Sequence, residues 1–210
     1  MERLKITRQK YILSSIIIVS IIIRVLLAFN GGQYYFVDEM RAHRTHVLIE
    51  YVQESRINDA GRIFFKGAHP GLIITTLPGF LVAQKIDDPV LADKVAASIL
   101  SLYSVINIML IYLIAKKVSR SERESILAAL FFATATSMFY LSRHFLSYDA
   151  AMTFALLGLW LALEEKPARW RLLLASVLGI FSILVYIGNW MLVSCVMLLI
   201  LIYRLPEQIP

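Results

Sequence analysis

Long uncharged stretches dominate this chain and limit what it can become. Tyr11 to Phe29 is 19 residues with a single interruption at Arg24, enough to cross a hydrocarbon core of roughly 30 Å at about 1.5 Å per helical residue. It reads as a membrane span. A cleaved signal peptide would have a shorter apolar centre and small residues at the cut, and neither precedes Asn30. Arg24, about a turn and a half from the outer end, is expected to extend its guanidinium toward the interface.

Further uncharged stretches run from Val95 to Ala115, Ser125 to Ser142, Ala150 to Leu163 and Leu172 to Tyr203. The last has 32 residues, too many for one crossing even when tilted, and Gly188-Asn189 near its middle offers a turn between two short spans. Pro70 to Ala83 is shorter and broken by Pro78-Gly79, so it reads as interfacial or re-entrant. With 59% hydrophobic and 17% charged residues and a mean hydropathy of +0.69, the chain is excluded from the soluble enzymes. Its single cysteine, Cys195, lies in an apolar run and supplies neither a disulfide framework nor a thiolate metal cluster.

Charge placement decides the topology. If residues 70–83 do not cross, the N-terminus, the Lys116 to Arg123 loop, the Glu164 to Arg171 loop and Arg204 share one side, which then holds 12 basic and 6 acidic residues. If they did cross, the Lys116 loop would oppose the N-terminal cluster, against the positive-inside rule. The expectation is an all-α, multi-pass protein of the cell membrane with six crossings and both termini cytoplasmic. The membrane-exit and external segments together carry 9 basic residues, Arg24 among them, and 9 acidic ones, so the whole net charge of +6 is cytoplasmic. It orients the chain against anionic membrane lipids and does not mark a nucleic-acid partner.

Residues 1–210 thus read as one transmembrane module, with 30–94 as a large external loop. The loop opens on Asn30-Gly31-Gly32 and an aromatic patch, Tyr34-Tyr35-Phe36, suited to a headgroup boundary. A helix over about Glu39 to Glu54 follows, with Met40, Val47, Leu48, Tyr51 and Val52 on one stripe, as in a helix lying in the interface plane. Asp88-Pro89 reads as the cap and first turn of the next helix.

Several external residues could carry chemistry. Asp38 and Glu39 fit two roles: caps that complement a helix N-terminus, or a carboxylate base able to take a proton from a hydroxyl. Arg143, His144 and Asp149 sit between two apolar runs, and the second run spans comfortably only if it begins at or before Asp149. These groups fit either an Arg143 to Asp149 ion pair closing a short loop, or a site where Arg143 and His144 hold a phosphate while Asp149 orients a ligand. Lys66 and His69-Pro70-Gly71 close the polar part of the loop in turn chemistry common to many loops. His43 and His46, three residues apart on an exposed helix, read as a polar face rather than a metal site. P-loop, GxGxxG, GxSxG and HExxH patterns do not occur, which removes nucleotide-driven pumping and the common hydrolase signatures.

The order of these features resembles a family. A first span with a late Arg24, the approach Tyr35-Phe36-Val37-Asp38-Glu39, His69 to Leu72, a basic cytoplasmic loop, and Ser142-Arg143 leading to Asp149 look like the membrane module of C-type integral-membrane glycosyltransferases. The protein O-mannosyltransferase, aminoarabinose transferase and lipopolysaccharide-core transferase branch is the most similar. The resemblance implies transfer of a sugar from a polyprenyl-phosphate donor to a lipid, glycan or protein acceptor on the extracytoplasmic side, with inversion at the anomeric carbon. It makes Asp38 the base or acceptor-orienting group, with Glu39 its neighbour and Asp149 the acidic residue of the second external loop. Arg143 and His144 fall where the donor phosphate could be held, and Lys66 and His69 in the region of a Pro-Pro or His-Pro pair close to the site. No metal ligands are assigned, and a divalent metal stays open as a cofactor.

Two departures accompany the resemblance. Gly71 stands where relatives have a second proline and is expected to loosen that turn. Such enzymes also run to several hundred residues, so a fragment, or a subunit that needs a partner, is expected. The competing readings are a non-catalytic scaffold or subunit of a larger membrane enzyme, and a small transporter. The transporter is disfavoured because the charged groups gather at one side instead of lining a path through the middle.

Overall fold

A computed structural model describes residues 2–31, 41–65, 69–135, 144–164 and 168–204. Among them every regular element is helical and no strand occurs. In chain order these are α1 (Glu2–Phe29), α2 (His43–Gln53), α3 (Ile57–Phe65), α4 (Pro70–Ala83), α5 (Pro89–Ser119), α6 (Glu122–Thr134), α7 (Tyr148–Ala162), α8 (Arg169–Val185) and α9 (Trp190–Arg204). A single 3-10 turn, Ile187–Asn189, separates α8 from α9 at the predicted break.

Local chemistry sets most boundaries. The Asp88 carboxylate accepts from the Val90 and Leu91 N–H groups at 2.9 and 3.3 Å, and Pro89 occupies the first turn of α5. That helix stops where Arg120 turns left-handed, at φ 55°. Ser121 then caps α6 by accepting from Glu124 N–H, and Glu122 and Glu124 fill its first turn.

Two helices, α1 over Gln9–Phe29 and α5, are long and apolar enough to cross a membrane. The helices α4 and α6 to α9 have 13 to 17 residues, on the order of 20–26 Å against a hydrocarbon core of roughly 30 Å. Helix α5 is the axis of the molecule, packing against α1, α4, α6 and α7, while α7 pairs with α8.

The helices meet through small residues. A Cβ on Gly79 would stand 2.9 Å from the Ala96 carbonyl oxygen, so α4 and α5 touch backbone to backbone. At Gly71 the added atom would lie 2.7 Å from Val185 N of α8. Gly71 is therefore a buried contact glycine inside α4 and does not loosen a turn. Residues 70–83 also form one continuous helix through Pro78, not a broken segment, because neighbouring helices support a backbone that lacks one donor.

Many large apolar side chains face outward, and α8 buries small or polar ones in their place. On α8 the exposed stripe is Leu173, Val177, Ile180 and Leu184, whereas the buried positions are Ala175, Gly179, Ser182 and Val185. A soluble bundle has the opposite distribution, and this one suits an apolar surrounding. Helix α2 departs from expectation in a related way. It is buried through Ala42, Thr45 and Ile49, with Thr45 and Thr76 of α4 joined by a 2.6 Å hydroxyl bond, while Val52 of the predicted stripe is exposed.

At the far end of α7, α5 to α8 are tied by charge. Lys117 Nζ donates to Trp160 O at 2.8 Å and lies 4.5 Å from the Trp160 ring centroid, and Glu164 pairs with Arg171. Between α5 and α6, Tyr112 donates to Glu122 at 2.6 Å and Lys116 pairs with the same carboxylate at 2.9 Å. The Tyr112 hydrogen bond is the main reason Glu122 titrates below the usual carboxylate range, with Lys116 adding to it.

Candidate functional site

Of the residues singled out in the sequence, His69, His144 and Asp149 fall within the described residues, while Asp38, Glu39, Lys66 and Arg143 lie outside them. The first two apolar-run boundaries that matter, the start of α4 and the start of α7, come together. His69 immediately precedes α4, and its Nδ1 accepts from Ile187 N–H at 3.4 Å. A neutral ring in that arrangement carries its proton on Nε2 and can donate from there. The ring stacks on Tyr186 at 5.6 Å between centroids, and Tyr148 meets Tyr186 edge-on at 4.6 Å. Arg41, His69, Ser147, Tyr148 and Tyr186 line one crevice with a volume of about 10 Å³, room for a single water.

Asp149 follows in the first turn of α7 and is 7% exposed. Its backbone is held from two sides: Asn107 Nδ2 of α5 donates to Asp149 O at 2.9 Å, and Thr153 Oγ1 reaches both Asn107 Oδ1 (2.7 Å) and Asp149 O (2.9 Å). The side chain is treated differently, for Oδ1 is buried and accepts no hydrogen bond. A buried carboxylate oxygen in that state is costly unless a charge or ligand answers it.

The answering charge is Arg24. It is fully buried, so the expected extension toward the interface does not occur. The guanidinium turns inward because α5 offers an acceptor: Nε donates to Ser104 Oγ at 2.8 Å, and Nη1 to Ser20 O at 3.3 Å. Ser104 lies one turn of α5 from Asn107, the donor to Asp149 O, which sets the two opposite charges on the same side of that helix.

His144 is also buried, in the segment that leads through Phe145 into α7, where Phe145 stacks on Phe80 at 5.5 Å. His43 and His46 stack at 5.7 Å and border a separate cavity of about 280 Å³ together with Asp87 and Asp93. Among the described residues no three metal-ligand side chains converge.

Sequence reading missed Arg41, Tyr148 and Tyr186 in the crevice and the inward turn of Arg24. A signal for the last existed. Ser101, Ser104 and Asn107 recur every three residues within the apolar run of α5, which marks a polar face wanting a partner.

Chemically, the crevice offers an imidazole donor, two phenols and Arg41, and the residue after Tyr148, outside the crevice lining, is the buried carboxylate with an open acceptor, with the buried cation Arg24 on the facing helix. In comparisons with protein-family models, with curated proteins and with solved structures, the chain matches none.

Proposed function

We propose that this chain is the membrane module of a glycosyltransferase that moves a sugar from a polyprenyl-phosphate donor to an acceptor on the extracytoplasmic side. The observation that carries the reading is Asp149: a buried carboxylate with an open oxygen, opposed by a buried arginine, at the mouth of a bundle whose outer surface is apolar. Ionisable groups kept at such depth mark ligand sites more often than they stabilise. In this reading the chain crosses the membrane six times with both termini cytoplasmic. The short helices α6 to α9 are completed by the thinning, tilt and flanking side chains that mismatched spans use.

The chemistry divides among the carboxylates and cations. Asp38 takes the proton of the acceptor hydroxyl as that oxygen attacks the anomeric carbon. The bond from that carbon to the phosphate oxygen breaks, and its electron pair leaves with the lipid phosphate. In this reading Arg143, His144, Lys66 and His69 hold the phosphate charge, while Glu39 and Asp149 orient the reacting groups. Residues 1–210 act as one unit, alone or with a further segment or subunit.

The test is sugar transfer by the chain in lipid nanodiscs supplied with a polyprenyl-phosphate sugar and candidate acceptors. Asp38→Asn is expected to lose about 10² to 10⁴ in rate while inserting normally, and full activity in that variant overturns the assignment. One observation favours a second reading, a non-catalytic subunit of a larger membrane enzyme: the crevice is closed to about 10 Å³, smaller than any sugar. That reading expects co-purification with a larger enzyme and no binding of the donor lipid.

A further inference from the structure

Helix α1 carries one charge within its apolar stretch, and that charge is spent inside the bundle. Arg24 is fully buried, bonded to Ser104 Oγ of α5 and to Ser20 O one turn earlier. Across from it the Asp149 backbone is fixed by Asn107 and Thr153, so the carboxyl group has a set place, yet Oδ1 receives no hydrogen bond. Three helices, α1, α5 and α7, are therefore tied into one buried polar layer around Asp149.

We propose that Arg24 is a positioning residue: anchored by Ser104 and Ser20, it keeps the Asp149 carboxylate charged and its Oδ1 open to accept a hydroxyl of the ligand. The argument is one of opposing terms. Burial favours the neutral acid, which would carry a proton where an acceptor is wanted, and a nearby cation favours the anion. Around the first turn of α7 the titratable groups among the described residues include Arg24 from α1, Tyr103 from α5, His144 in the segment that leads into α7, Tyr148 on α7 itself, Tyr186 after α8, and His69 and Arg41 across the crevice. Among these, Arg24 is the fully buried cation, and its anchor Ser104 lies one turn of α5 from Asn107, the donor to the Asp149 main chain, so the guanidinium and the carboxyl group belong to the same buried side of α5. A lysine at position 24 would keep the charge while losing the forked geometry, which makes it the informative conservative change. The ligand half of the proposal rests on the glycosyl-transfer reading, whereas the charge state of Asp149 does not.

The experiment uses the full chain in nanodiscs and reads the carbonyl stretch of protonated carboxyl groups by infrared difference spectroscopy, with Asp149→Asn as the reference. At neutral pH the native chain is expected to lack a band assigned to Asp149, Arg24→Met to gain it, and Arg24→Lys to lose it again. A native chain that shows the band, or an Arg24→Met chain that lacks it, overturns the proposal. Should Arg24→Met fail to fold, the Arg24→Met/Asp149→Asn pair, which removes both charges, is expected to restore a monodisperse folded chain, and failure of that rescue also overturns it. Transfer from a polyprenyl-phosphate hexose is expected to drop on the order of tenfold in Arg24→Met, chiefly in kcat, and to recover in Arg24→Lys. Native-like transfer in Arg24→Met removes the ligand half. Expected spectra with no transfer by any chain would instead sink the glycosyl-transfer reading and leave the Arg24 to Asp149 assignment standing.

Discussion

The two ends of α7 handle charge in opposite ways. At its far end, Lys117, Glu164 and Arg171 form a partly exposed cluster in which each charge has a charged or carbonyl partner, and the neighbouring Lys116 to Glu122 pair adds a phenol. At its start, Asp149 is buried, its backbone is held by Asn107 and Thr153, and one carboxylate oxygen is left open. The first arrangement fastens helices together and asks for nothing more. The second leaves a buried acceptor without a hydrogen bond, a costly arrangement that fits the proposed ligand site better than a clasp.

Breaking the frame that both ends share has the largest expected effect. Gly79→Leu drives a side chain into the Ala96 backbone, where even a Cβ would stand 2.9 Å from the carbonyl oxygen. A loss of about 3 kcal/mol is expected. Thermal unfolding in detergent checks it, and an unchanged midpoint would mean that α4 and α5 do not meet at that glycine.

Next comes the support of the buried end. Asn107→Ala removes the donor to Asp149 O and the acceptor of the Thr153 hydroxyl, for about 1–2 kcal/mol. The sharper expectation is selective damage: donor-lipid binding, measured by titration of the chain in nanodiscs, should weaken more than the melting point falls. Equal damage to both would make Asn107 merely structural.

The smallest effect is expected at the clasp, and it depends on pH. Glu122 titrates below its usual range in the folded chain, so its stabilisation is present above the unfolded carboxylate value and is lost as pH falls through the lower folded value. Glu122→Gln should cost about 0.5 kcal/mol at neutral pH, as partly exposed pairs do. Native and variant melting points should then converge in acid. A gap that persists at low pH would show that the Tyr112 contact, not the charge, does the holding.

Sequence patterns made much of this frame readable. Asp88-Pro89 announced the start of α5, the 32-residue apolar run broke near Gly188-Asn189, and the described residues of the uncharged stretches are largely helical. Those features are local, decided by capping chemistry and by composition. Helix α3 was not anticipated, because its apolar Ile57, Ile63, Phe64 and Phe65 sit among polar residues in a stretch too short for periodicity to stand out. Arg24 was misplaced for another reason. A lone arginine in an apolar run can reach outward or inward, and only the arrival of Ser104 from 80 residues away decides which. The role of Gly71 was equally hidden, since the backbone it admits belongs to α8. Of the candidate site, sequence order alone suggested His69, His144 and Asp149, but the tyrosines that close the crevice come from a helix start and a helix end with no motif of their own.

The tightness of that crevice has a kinetic meaning. With room for about one water among Arg41, His69, Tyr148 and Tyr186, the crevice as it stands admits no sugar-sized ligand, so under the proposed reading these side chains must move before one can bind. The apparent affinity of such a ligand would then be the intrinsic one scaled by the fraction of time the two phenols stand apart, and its arrival would be paced by their parting rather than by diffusion. Trimming Tyr186 would then speed entry and exit together, trading selectivity for throughput.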